Sequence, residues 1–274
     1  MIRVLSANTI SLLNANINSR FLLSNIVSLF NTLSTSSYSP KNFGSDMIEA
    51  EYLRGVFMKY RLVIFDLDGT LLDTLDDLTV AVNHALSLHG YPQRKREEVR
   101  HWIGYGIANT IRQAVPKGTE EHECACIQKD FKEYYLSHVN VHTRPYNGIE
   151  ELLDRLTAAG VALAVNSNKL DSAVNELCAA HFPNRIAISV GERPDIPKKP
   201  AANGVELILG ALSVSPDQTI YVGDGESDLR TAANAGIECA WVSWGYRDAE
   251  DLSEFDIPYS FDSADELGAF LLDN

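Results

Sequence analysis

Residues 61–70 read Arg-Leu-Val-Ile-Phe-Asp-Leu-Asp-Gly-Thr, a short apolar run that stops in two carboxylates. A nearly continuous apolar segment of this length is the pattern of a parallel strand buried on both faces. It recurs twice. Val161-Ala-Leu-Ala-Val165 ends in Asn-Ser-Asn, and Thr219-Ile-Tyr-Val222 ends in Gly-Asp. Ile186–Val190 and Glu238–Val242 are two further strand candidates. Helical stretches lie between them, such as 148–159, where Ile149, Leu152, Leu153 and Leu156 share one face ahead of Gly160. Strands alternating with helices predict an α/β fold around a parallel sheet. Ligands of such sheets sit beyond the carboxyl ends of the strands. Asp66 and Asp68, Ser167 and Asn168, and Asp224 are therefore expected to converge.

Residues 74–145 break the alternation. Leu75–Leu88, Glu97–Trp102, Ile107–Val115 and Glu120–Val139 read as helices, with no convincing strand among them. The expected organisation is a core of 58–73 and 146–274, with 74–145 inserted as an all-helical cap that closes over the site and excludes water.

Residues 1–57 differ from the rest. They are rich in Ser, Asn and Leu, have no acidic residue before Asp46, and hold four basic against three acidic residues. Since the whole chain carries a formal charge of −14, the remainder carries −15. Three readings compete for this segment. It partly fits a transit peptide, though with little Arg; Arg20 followed by the apolar run 21–30 sketches a secretory h-region without a small-residue cleavage site; or Met58 is the true start. In each, 1–57 stands outside the fold. No run approaches the ~18–20 apolar residues of a membrane span. The acidic balance argues against nucleic acid, which requires a basic footprint.

Four cysteines form no Cys-x-x-Cys pair, and Cys124 and Cys126 lack neighbouring partners for a zinc site. The two carboxylates after the first strand permit a division of labour. Asp66 can attack phosphorus and form an aspartyl-phosphate. Asp68 can protonate the leaving alkoxide and later deprotonate the water that breaks the intermediate. A calcium loop beginning at Asp66 would need Glu at its twelfth position and finds Asp77. Taken singly, Ser167 also reads as a helix cap, Lys199 as a solvated charge and Asp224 as a turn residue.

Together these motifs resemble those of the haloacid dehalogenase-like hydrolases, in their phosphatase branch. Phe-Asp-Leu-Asp-Gly-Thr-Leu-Leu-Asp-Thr (65–74) is similar to the first motif. Val165-Asn-Ser-Asn-Lys169, Lys198-Lys-Pro200 and Gly223-Asp-Gly-Glu-Ser-Asp228 follow in the family's order. The resemblance implies a Rossmann-like parallel core with a helical cap. It implies that Ser167, with Asn168 and Thr70, binds the transferring phosphoryl group, and that Lys199 rather than Lys198 is the cation. It implies a Mg2+ ion held by Asp66, the main-chain carbonyl of Asp68 and Asp224, with Asp228 holding the metal's waters. Gly225 and Ala202 depart from the family's usual Ser and Pro.

Trp102-Ile-Gly-Tyr-Gly106, Arg144-Pro-Tyr-Asn-Gly148 and Ser167-Asn-Lys169 are similar to phosphoglycolate phosphatases in particular. Gly104 and Gly106 either present backbone N–H groups to a substrate carboxylate or simply turn the chain between helices. The resemblance thus implies an enzyme acting on a small phosphorylated metabolite, and the expectation carried forward is a cytoplasmic monomer or homodimer. A β-phosphoglucomutase-like mutase and a catalytically silent phosphate-binding module are the alternatives. Asp68 argues against a dehalogenase.

Overall fold

The computed structural model describes residues 58–273; the three readings of residues 1–57 lie outside them. Six strands form one all-parallel sheet: β1 (Leu62–Phe65), β4 (Ala162–Leu170), β5 (Ile188–Glu192), β6 (Thr219–Gly223), β7 (Glu238–Val242) and β8 (Tyr259–Phe261). The spatial order is β5-β4-β1-β6-β7-β8. Strand β1 is wholly buried, as a central parallel strand must be, and its side chains divide between two cores. Val63 and Phe65 enter one, Leu62 and Ile64 the other.

Helices cover both faces, as such a sheet requires. On the first lie α5 (Ile149–Ala158), α6 (Asp171–His181) and α9 (Ala264–Asp273); on the second lie α7 (Asn203–Leu212) and α8 (Glu226–Ala235). The stripe Ile149, Leu152, Leu153 and Leu156 on α5 is buried as its spacing predicts. Each such aliphatic side chain contributes about 1.5–3 kcal/mol on leaving water.

Register places the functional ends side by side. Phe65 pairs with Val165 on one side and with Val222 on the other. The next residues, Asp66, Asn166 and Gly223, therefore stand level at the carboxyl edge of three adjacent strands.

Between β1 and β4 the chain makes a detour. It leaves through β2 (Leu72–Asp73) and returns through β3 (Arg144–Pro145), which pair antiparallel with Leu72 opposite Pro145. The detour carries α1 (Leu75–Leu88), α2 (Arg96–Trp102), α3 (Ile107–Ala114) and α4 (Glu121–Leu136). The first matches its predicted bounds and the others end within a few residues of theirs. Helix α4 stops short of Val139, where the Ser137 hydroxyl turns back to donate to the Tyr134 carbonyl at 2.9 Å.

The five predicted strands are present, but β4 runs on through Asn166–Lys169 to Leu170, past a shift in its pairing with β5. Strand β8 was not apparent in the sequence. It is a three-residue edge strand, half-buried, held by the Phe270 ring against Tyr259 and Phe261 at 4.7 and 5.1 Å.

Candidate active site

Asp66 follows β1 and Asp224 follows β6, so sheet register alone brings them to one place. Gly69 adopts a φ of +86°, and a Cβ there would sit 2.5 Å from Asp224 Oδ2. Only glycine allows this turn and this closeness. At Gly223 a Cβ would lie 2.3 Å from the Asp228 Cγ. The backbone is thus thinned wherever it passes the carboxylates.

Asp66, Asp224 and Asp228 are buried, and each offers an oxygen within 4.8 Å of the others. The Lys199 ammonium reaches into the group, 2.9 Å from Asp66 Oδ1 and 2.7 Å from Asp228 Oδ1. Asp228 Oδ2 also accepts the Gly225 N–H at 3.1 Å. Asp224 accepts the Tyr246 N–H at 2.6 Å on Oδ2 and the Thr70 hydroxyl at 3.2 Å on Oδ1.

Burial raises the Asp66 carboxyl far above the usual carboxylate range; Lys199 opposes this, while Asp228, Asp224 and Asp68 add to it. Burial and then Asp228 raise Asp224 as well. Burial alone would lower the Lys199 ammonium, but Asp228 and Asp66 hold it well above the ordinary lysine value. Lys198 points elsewhere. It is partly exposed and pairs with Glu192 at 2.8 Å.

Asp68 stands apart from the triad. Its Oδ1 accepts the Thr74 hydroxyl at 2.6 Å and the Lys169 ammonium at 2.7 Å. Lys169 is buried and lies over the Tyr135 ring of α4, 4.8 Å from its centroid. Ser167 Oγ accepts the Lys169 N–H at 3.3 Å. The Asn168 amide is occupied by main chain: it donates to the carbonyls of Gly104 (2.9 Å) and Lys199 (3.1 Å) and accepts the Lys199 N–H at 2.8 Å. Asn168 thereby fastens the Gly104–Gly106 turn and the Lys199 backbone to β4.

The turn is gripped from the other side as well. The Arg247 guanidinium donates to the carbonyls of Arg100, His101 and Ile103, and Arg100 forms a paired bridge to Asp248 at 2.8 and 3.1 Å. The Tyr105 hydroxyl donates to Glu226. Between turn and strand ends lies a cavity of about 40 Å³, lined by Asp66, Asp68 and residues 167–169 on one side. Leu78, Val82, Ile103, Ile107 and Phe131 form its apolar wall, with Gly104, Gly106 and Thr110 beside them.

Sequence reasoning thus singled out Asp66, Asp68, Ser167, Lys199, Asp224 and Asp228, and the structure brings them to one edge of the sheet. Thr70 comes to Asp224 and does not line the cavity. Lys169, Tyr246 and Arg247 were missed. Lys169 had a signal, since it closes the second motif, but no role was assigned to it; the other two had none.

The family profile described as haloacid dehalogenase-like hydrolase matches residues 63–242. This chain belongs to the haloacid dehalogenase-like hydrolases. A phosphoglycolate phosphatase from Pseudomonas putida is 32% identical over 191 residues, covering 68% of this chain and 70% of the relative. An N-acetylmuramic acid 6-phosphate phosphatase from Pseudomonas aeruginosa is 29% identical over 195 residues, covering 71% and 86%. Among solved structures, a protein from Lactobacillus delbrueckii subsp. bulgaricus superposes with a TM-score of 0.75 at 31% identity. It covers 79% of this chain and all of that one.

The donor set of this haloacid dehalogenase-like hydrolase fits a divalent metal. Three buried carboxyl groups face the single ammonium of Lys199, and all the donors are hard oxygens. Among the described residues no helix is long and apolar enough to cross a membrane.

Proposed function

We propose that this chain is a Mg2+-dependent phosphatase of small phosphorylated metabolites, of the phosphoglycolate phosphatase type. The observation that carries the reading is the buried Lys199 bridge between Asp66 and Asp228, with Asp66 itself lining a small cavity beside Asp68.

Asp66 attacks phosphorus, the ester P–O bond breaks, and Asp68 delivers a proton to the departing oxygen. Asp68 then takes a proton from the water that hydrolyses the aspartyl-phosphate, which returns Asp66 and releases inorganic phosphate. Lys199 and the Ser167 hydroxyl face the equatorial phosphoryl oxygens, where charge gathers. Thr70 steadies Asp224, and Asn168 holds the Lys199 backbone in place. Asp66, the Asp68 carbonyl, Asp224 and Asp228 would hold the magnesium ion, which neutralises phosphoryl charge when bound.

Residues 74–145 serve as the cap over a core of 58–73 and 146–274. The cavity is small, about 40 Å³, which favours a small leaving group. The carboxylate of a two-carbon acid would meet the N–H groups of the Gly104–Gly106 turn. A sugar phosphate, as the mutase alternative demands, would set several hydroxyls against Leu78, Val82, Ile103, Ile107 and Phe131 without partners.

The test is phosphate release from a panel containing 2-phosphoglycolate, N-acetylmuramic acid 6-phosphate and hexose phosphates, with and without magnesium. The expected result is metal-dependent hydrolysis with the highest kcat/KM on the smallest acid. Release from none of the esters would favour a silent binding module, and isomerised sugar phosphate a mutase.

A further inference from the structure

The hydrogen bonds to the Asp68 side chain both land on Oδ1, from Thr74 at 2.6 Å and Lys169 at 2.7 Å. A carboxylate held by two donors on one oxygen loses its freedom to rotate, and its second oxygen is turned towards whatever the first is not facing. Here Asp68 and Lys169 both line the cavity. Oδ1 is anchored to protein, and Oδ2 is the oxygen left to exchange a proton with a ligand.

Lys169 itself is confined. Its side chain is 3% exposed, so an unpaired ammonium there would be costly. Asp68 supplies the countercharge, and the Tyr135 ring covers the ammonium from the helical side, as cations prefer. Tyr135 is buried on α4, in the segment between β2 and β3, whereas Asp68 and Lys169 follow the carboxyl ends of β1 and the regular part of β4. The cation is therefore seated by one region and anchors a carboxylate of the other.

We propose that Lys169 is a positioning residue that fixes Asp68 through Oδ1 for proton transfer, and that Tyr135 couples this fixing to the seating of the helices. The inference rests on the phosphatase reading above, with Asp68 as the acid. During phosphoryl transfer from ester to Asp66, Lys169 bonds to neither substrate nor metal. It holds Asp68 while the proton on Oδ2 passes to the leaving oxygen.

A positioning role has a signature that a role in folding or in substrate binding lacks. Help from an acid matters most for poor leaving groups and little for good ones. Ethyl phosphate and trifluoroethyl phosphate carry the same charge and nearly the same shape, but trifluoroethanol leaves far more readily. Wild-type enzyme and Lys169→Met should be compared on both, at saturating magnesium. The expected loss in kcat/KM is about 100-fold for the ethyl ester and less than about tenfold for the trifluoroethyl ester.

Equal losses on the two esters, or no loss, would overturn the proposal; so would a rise in KM with kcat unchanged, which would make Lys169 a substrate ligand. If Lys169→Met does not fold, as circular dichroism would reveal, Tyr135→Leu takes its place, with Lys169 and Asp68 both kept. A loss of about threefold or more confined to the ethyl ester would support the coupling, and an equal loss or none would overturn it. Failure of the wild type on every phosphoester tested would refute the phosphatase reading and this inference with it, whereas an active wild type with equal losses would overturn the inference alone.

Discussion

The two sides of the cavity are made of different atoms. The strand ends give Asp66, Asp68, Ser167, Asn168 and Lys169, all polar and all within β4 or within three residues of the end of β1. The helices give Leu78, Val82, Ile107 and Phe131, the backbone of a glycine turn, and one hydroxyl from Thr110. No charged side chain lines the cavity from the helical side. A phosphoryl group needs preorganised charge, and charge is held most rigidly where three paired strands end in register. Fitting a leaving group needs only shape, which packed apolar helices supply. On the proposed reading, the chemistry resides in the sheet and the choice of substrate in the helices.

The largest test of that division is Asp66→Asn. Turnover should fall by at least about 10³-fold, with an unchanged circular dichroism spectrum, because a nucleophile has no substitute. A substitution on the helical wall with an equal effect on every ester would break the comparison. Gly69→Ala comes next. The methyl would meet Asp224 Oδ2 at 2.5 Å from a φ of +86°, so metal affinity measured by titration calorimetry should drop, with activity down about 100-fold. Wild-type affinity in this variant would mean that Asp224 has room to spare.

On the helical side, Ile107→Ala enlarges the wall without touching any charge. Relative kcat/KM should move towards larger esters by about tenfold, the scale of a few methylenes in an apolar pocket. The smallest effect is on stability. Magnesium at about 100 times its Kd should add about 2.7 kcal/mol, raising Tm by roughly 5–10 °C. Asp224→Asn should abolish most of that shift, whereas Ile107→Ala should leave it intact.

What the sequence revealed follows the same division. Asp66, Ser167 and Asp224 were legible because each closes an apolar run, and register then does the rest. The helices from Leu75 to Leu136 were legible from their apolar spacing. The contacts between segments far apart in sequence were not. Lys169 meets Asp68 across 101 residues of chain, and Arg247 meets the Arg100 carbonyl across 147. No local pattern encodes a partner at that distance. Lys198 and Lys199 are neighbours in sequence, yet one pairs with Glu192 near the surface and the other is buried among carboxylates. Strand β8 was too short and too exposed to show an alternation, and β2 and β3 are two residues each.

The β2–β3 pair has a consequence for how such a chain changes over generations. Leu72 faces Pro145 and Asp73 faces Arg144, so the polypeptide goes out and comes back through one doorway two residues wide. Whatever is threaded between the doorposts leaves β1 and β4 as neighbours in unchanged register. Lengthening, trimming or exchanging the 75–136 stretch therefore asks nothing of the sheet beyond closing a loop at a fixed gap, a cost that grows only slowly with length. Selection is free to experiment with the room while the door and the furniture behind it stay where they are.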